Sequence, residues 1–222
     1  MVGVVILSAL GVWQLDRAEQ KKLLEKAVQV SMSEEPLIIT AALSDVEIAQ
    51  FRRISVQGKY AGEHEILLDN ATWNGKAGYH VITPLRILNS DKHVLVNRGW
   101  VPVGADRRIV PVTSVPEGEV LIEGRLGRIK GKPAFISHDV PADNSGEKVW
   151  FYLDANYFSA KTGLEVKPYL LLLNKDSEGG YVREWPSYEG RYGMHIAYAV
   201  QWFCFALFAF FIYIWVSIKK HE

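Results

Sequence analysis

The 222-residue sequence holds a single cysteine, Cys204, and that residue lies inside a hydrophobic run. A disulfide framework and a cysteine-built zinc or copper site within one chain are therefore excluded, and Cys204 reads as a small apolar packing residue. Charge of either sign is also missing in excess: 25 basic residues balance 25 acidic ones, so nothing points to nucleic acid. There is no G-x-S-x-G elbow, H-E-x-x-H pair, phosphate-binding loop, G-x-G-x-x-G turn or internal repeat. His64, His80, His93 and His138 follow no ligand spacing, and nothing aims Asp69 or Asp139 at a nucleophile. An enzyme, such as a membrane-tethered hydrolase, would have to assemble its site in space alone.

What is present is concentrated at the two ends. Ile196 to Ile218 gives twenty-three residues with Gln201 as the strongly polar member, enough at ~1.5 Å per residue to cross the roughly 30 Å core of a bilayer. Residues 1–15, MVGVVILSALGVWQL, form a second apolar stretch, which as a helix reaches only ~22 Å. A basic n-region and a small-residue cleavage pattern are both missing, which disfavours a cleaved signal peptide; a membrane helix with an abbreviated start is expected. From Asp16 the helical pattern continues to about residue 30, with Leu23, Leu24, Ala27 and Val28 as an apolar stripe. Lys219, Lys220 and His221 place the C-terminal end in the cytoplasm by the positive-inside rule, although Arg17, Lys21, Lys22 and Lys26 vote the other way for the first helix.

Between the ends the pattern changes to strands. After a linker and a short helix capped by Ser44 and Glu47, β-branched and aromatic runs follow at 52–60, 65–70, 78–88, 92–101, 119–129, 148–154 and 169–175. Turn signals such as Asn74-Gly75 separate them, and one helix is expected between the cap Asp154 and the stop Gly163. The loop 135–147 is the expected nicking site. The expected architecture is a membrane protein with two transmembrane α-helices flanking a mainly antiparallel β domain, a sandwich or small barrel of α+β type, outside the cytoplasm. Its segments are 1–15 with helix to about 30, 31–190, 192–218, and the tail 219–222.

Two places carry candidate chemistry. In Asn97-Arg98-Gly99-Trp100-Val101-Pro102 an Asn-Arg pair ends an apolar strand. Arg98 reads as a buried cation on a carboxylate or carbonyl with Trp100 in the core, or as a partner-binding pair, Arg98 and Trp100. At the membrane, antiparallel helices bring Gly11, Trp13, Gln14 and Arg17 to the depth of Tyr192, His195 and Tyr198, with Gly11 and Ala197 or Ala199 allowing close approach. Trp202 follows His195 by seven residues and shares its face. A histidine, flat aromatic walls, and Arg17 and Arg191 at the rim are what a haem needs. The same residues also read as interfacial anchors and headgroup contacts.

Four of these segments, LGVWQLDRAEQK (10–21), TPL (83–85), LVNRGWVP (95–102) and HIAYAVQWF (195–203), together resemble the Surfeit locus protein 1 family, assembly factors for cytochrome c oxidase. The resemblance runs in order over essentially the whole chain. It implies two membrane helices around a periplasmic or intermembrane-space domain, a role in maturing the haem-copper catalytic subunit as partner, and haem a as a transient ligand. By motif, the haem-associated histidine of that family falls on His195 with Trp202 as its neighbour; Trp13 would add a wall and Arg17 or Arg191 the propionate partners. Enzymes of haem a synthesis are further expected partners. A scaffold that grips an oxidase subunit without haem is the alternative. With no arginine-rich presequence, a bacterial plasma membrane fits better than a mitochondrial inner membrane.

Overall fold

The computed structural model describes residues 1–40, 51–129, 131–133, 141–142, 148–186 and 188–219. The helix expected at Ser44–Glu47, most of the loop 135–147, and the tail from Lys220 lie outside the described residues. The chain divides into two compact units, Met1–Val30 with Ser187–Glu222, and Ser31–Pro186.

Among its described residues the second unit has eight strands: β1 (Leu37–Ile39), β2 (Arg53–Tyr60), β3 (Ile66–Trp73), β4 (Lys76–Ile87), β5 (Lys92–Pro102), β6 (Glu119–Arg128), β7 (Val149–Trp150) and β8 (Glu165–Leu173). They follow the order β1-β2-β6-β8-β5-β4-β3-β7, and a further β2–β4 pairing from Gly58 to Tyr60 closes β2, β6, β8, β5 and β4 into a ring. Of the two architectures open from sequence, the barrel is the one adopted. Most pairings are antiparallel, but β1–β2, β3–β7 and β5–β8 are parallel. The run 148–154 is strand only at Val149–Trp150, and its remainder is an irregular stretch that leads into the helix α2 (Ala155–Thr162). Asp154 caps α2 by accepting the Tyr157 N–H at 2.9 Å, and Gly163 ends it at φ 75°.

Period-2 alternation fills the ring. Ile54, Val56 and Tyr60 of β2, Leu85 and Ile87 of β4, Val94 and Val96 of β5, Ile122 and Leu126 of β6, and Leu171 and Leu173 of β8 form one buried cluster. The alternate residues point outward, where Ile82, Leu95 and Leu170 meet Trp150 and Phe158 in a second cluster. Gly58 and Gly124 occupy inward positions, where a Cβ would collide with the carbonyl oxygens of Arg86 and Leu172. Ring closure therefore requires the missing side chains. At the β3–β4 hairpin Asn74 and Gly75 both take positive φ, 46° and 73°, the requirement of a two-residue turn that matches strand twist.

The first unit pairs α1 (Val2–Ser33) with α3 (Tyr192–Lys219). Among the described residues α3 is the one helix long and apolar enough to cross a membrane. The expected stripe on α1 is corrected in part: Leu23 and Leu24 are exposed, whereas Gly11, Ala18 and Val28 are buried. Gly11 sits so close to Phe203 that a Cβ would fall 2.7 Å from its ring. Of the alanines expected at the helix contact, Ala199 is buried and Ala197 is exposed.

Gly124→Val is expected to cost about 1–3 kcal/mol or more, since the clash is with backbone that cannot yield. Gly75→Ala, strained only by its φ in an exposed turn, is expected to cost about 1 kcal/mol. Denaturant unfolding of the detergent-solubilised chain, followed by tryptophan fluorescence, checks the ranking; equal losses would contradict it.

Candidate functional site

Gln14 of α1 and His195 of α3 meet where the two helices pack. His195, in the first turn of α3, places Nδ1 2.8 Å from Oε1 of Gln14 on α1. An amide oxygen only accepts, so Nδ1 carries a proton and donates, and in the neutral ring the Nε2 lone pair is left free. No described residue bonds Nε2. This is the arrangement found around metal-ligating histidines, in which the second ring nitrogen is held by an acceptor.

The other predicted residues are distributed around this pair. Trp13 is 49% exposed, and the Arg17 guanidinium lies over its ring at 5.6 Å while donating to Gln20 Oε1 at 3.0 Å. Arg191 is exposed with φ 48°, and its carbonyl accepts the Met194 N–H at 3.1 Å as α3 begins. Trp202 lies two turns further on, half-buried and edge-on to Phe205 at 5.9 Å. Gln201 faces outward. The geometry thus brings Gln14 to His195 and Trp13 to Arg17, and joins neither Trp202 nor Arg191 directly to the histidine. No group of three or more metal-ligating side chains occurs among the described residues; a haem iron asks the protein for one imidazole.

The barrel's polar centre is Arg98. Its guanidinium is 1% exposed and donates to Glu65 Oε2 at 2.8 Å, to the Gly179 carbonyl at 2.7 Å and to the Ser114 carbonyl at 2.6 Å. Tyr60 and Tyr181 cover its two faces at 5.2 and 5.3 Å. Glu65 in turn accepts from Thr83 at 2.6 Å, from Lys148 at 2.8 Å and from Thr113. Burial alone would raise the Glu65 carboxyl, but the bonds from Lys148, Thr113 and Thr83 hold it below the usual glutamate range. Burial pushes the Tyr60 phenol up to about 12.

The rest of the Asn97–Trp100 motif serves the same corner. Asn97 Oδ1 accepts the Gly99 N–H at 3.1 Å, Gly99 adopts φ 118° against Val182, and Trp100 donates to the Ala71 carbonyl at 3.3 Å. Arg98 and Trp100, read from sequence either as a buried pair or as a partner-binding pair, are 1% and 5% exposed, with their side-chain donors bonded within the β unit. Of their partners, only Thr83 lies in one of the segments that carry the family resemblance. Glu65, Thr113 and Lys148 carry no local signal, since they meet only through long-range pairing.

Glu65→Gln is expected to destabilise the chain by about 3–5 kcal/mol, because it leaves a buried cation uncompensated. The pH response has a definite sign. A carboxyl held below its unfolded value adds stability above roughly pH 4.3, and that stability is lost as pH falls through the folded value. Acid unfolding monitored by fluorescence should be shallower in Glu65→Gln than in the parent chain; identical profiles would remove Glu65 from the account.

The family model described as the SURF1 family matches residues 1–207. That span takes in α1, all eight strands and α3 through Leu207, hence both His195 and Trp202. A SURF1-like protein of Monosiga brevicollis is 25% identical over 228 residues, covering 97% of this chain and 84% of that protein. A SURF1-like protein of Rickettsia felis is 26% identical over 220 residues, covering 96% and 93%. An uncharacterized SURF1-like protein of Mycobacterium tuberculosis is 24% identical over 225 residues, covering 97% and 81%.

Proposed function

The chain belongs to the SURF1 family, and from that premise we propose that it is a membrane-anchored assembly factor for haem-copper cytochrome c oxidase, taking haem a at the α1–α3 pair and aiding its passage to the catalytic subunit. Both helices then cross the plasma membrane of a bacterium, the barrel lies on the outer side, and the Lys219 end is cytoplasmic. Enzymes of haem a synthesis are the proposed donors. The observation that carries the reading is the Gln14–His195 hydrogen bond, which fixes the imidazole and leaves Nε2 for a metal.

Haem a is cargo here, and its iron supplies an open coordination position to a protein imidazole. His195 offers Nε2 as the axial ligand. Trp13 and Trp202 offer flat apolar surface, and the exposed cations Arg17 and Arg191 suit propionates. The protein performs no bond chemistry; it binds, orients and shields.

A second reading, a scaffold that grips an oxidase subunit without haem, is favoured by the loop between β5 and β6. There Ile109 is 69% and Val112 99% exposed, next to Thr113 and Ser114, which the buried Glu65 and Arg98 hold in place.

Protein co-produced with haem a synthesis enzymes is expected to purify with a Soret band. His195→Ala should abolish most of it, and Gln14→Leu should weaken haem retention about tenfold. A colourless His195→Ala protein that still restores oxidase assembly, together with crosslinking of an oxidase subunit from position 112, would replace the haem reading by the scaffold.

A further inference from the structure

Arg98 is a buried arginine in which each of the three guanidinium nitrogens donates a hydrogen bond. Arg125 differs. It projects outward from β6, half-buried, and donates from Nη2 to the Pro186 carbonyl at 2.8 Å. Its Nε is buried with no hydrogen-bond partner, and no carboxylate pairs with it among the described residues. His80, outward on β4 and tilted against Trp185 at 5.7 Å, has a buried Nδ1 in the same condition. Orphaned buried polar atoms are rare, and each calls for an explanation.

Both residues line one cavity of about 480 Å³ on the outer face of the barrel, within the size range of small-molecule sites. Its floor comes from Leu170 and Leu172 of β8 and Gly127 of β6, and its walls from Phe151, Tyr152 and Trp185. The lining is mainly apolar, with charge at one part. Arg128 also lines it, exposed and without an acidic partner among the described residues; Asp69 lines it too, but is already held by Arg107 at 3.3 Å and by the Asn70 N–H at 2.7 Å. The charge left over is positive.

We propose that this cavity is a binding site for an apolar monocarboxylate of the fatty-acid class, its chain lying over Leu170 and Leu172 and its carboxylate taken by Arg125 and His80. A carboxylate supplies an acceptor to the Arg125 Nε–H and, when the ring carries both protons because its other nitrogen already donates to the Gly99 carbonyl, to His80 Nδ1–H. An alkyl chain covers the apolar floor that no described segment of the protein covers. The site lies wholly within the β unit and is independent of His195.

The test is titration of the full chain, in a neutral detergent, with octanoate carrying a terminal bromine, which quenches nearby tryptophan. Saturable quenching is expected, and Trp185→Phe should remove the quenched fraction. Arg125→Gln should weaken binding roughly tenfold, with Arg125→Lys retaining part of it. Brominated octanol, which partitions into micelles more readily, should bind the parent protein roughly tenfold more weakly than the acid. That comparison needs no variant. Quenching that does not saturate, that favours the alcohol, or that survives Trp185→Phe would overturn the proposal.

Discussion

The buried pair of Arg98 and Glu65 is the constraint on which the β unit depends. Taking both charges out of water costs several kcal/mol per ion, and attraction between them offsets this only if their other bonding positions are also filled. They are filled by segments with little regular pairing of their own: Ser114 and Thr113 from the long β5–β6 connection, Gly179 from the stretch after β8, and Lys148 from the approach to β7. An aliphatic pair in the same place would pack as well. It would not tell those segments where to stop, because apolar contact is non-directional.

The helical unit applies the same rule with fewer atoms. A neutral imidazole has one donor and one acceptor, and Gln14 answers the donor. Close approach makes this reach possible: Gly11 lies against Phe203 and Ala199 is fully buried, so the backbones draw near enough for a short side chain to span the gap. The consequence is a defined tautomer, which a lone interfacial histidine would lack. The stacked Trp13 and Arg17, one turn apart on α1, keep a flat surface and a cation exposed next to Gln14 in the chain.

Much of this was legible from local pattern. Strand runs with period-2 alternation located the walls of the barrel, and Asn74-Gly75, Asp154 and Gly163 announced their own conformations because their side chains act within a few residues. Ring closure was not legible. It rests on the parallel β5–β8 pairing and on Gly58 and Gly124, whose value lies in atoms they lack opposite strands far away in sequence. The run at 148–154 misleads for a related reason: its aromatic residues serve the outer cluster around α2, so strand-like composition there reports burial and not extended pairing. Arg98 was recognisable as a cation needing a partner, but Glu65, just before β3, looks like any charged residue at a strand end.

The contrast between the two arginines of the barrel bears on what each is for. Arg98 and Arg125 share a sheet and a side-chain chemistry, yet one is enclosed by four hydrogen-bonding partners and two aromatic rings while the other keeps a desolvated Nε unanswered. Leaving such a donor unmet costs about 1–3 kcal/mol, more for a charged group. A sequence selected only for stability would relieve that cost with a nearby carboxylate, as Glu65 does for Arg98, or would replace Arg125 by an apolar residue on a face that already carries Leu170 and Leu172. A cation kept without its counter-ion beside an open apolar cavity is instead the state expected of a site whose missing acceptor arrives from outside the chain.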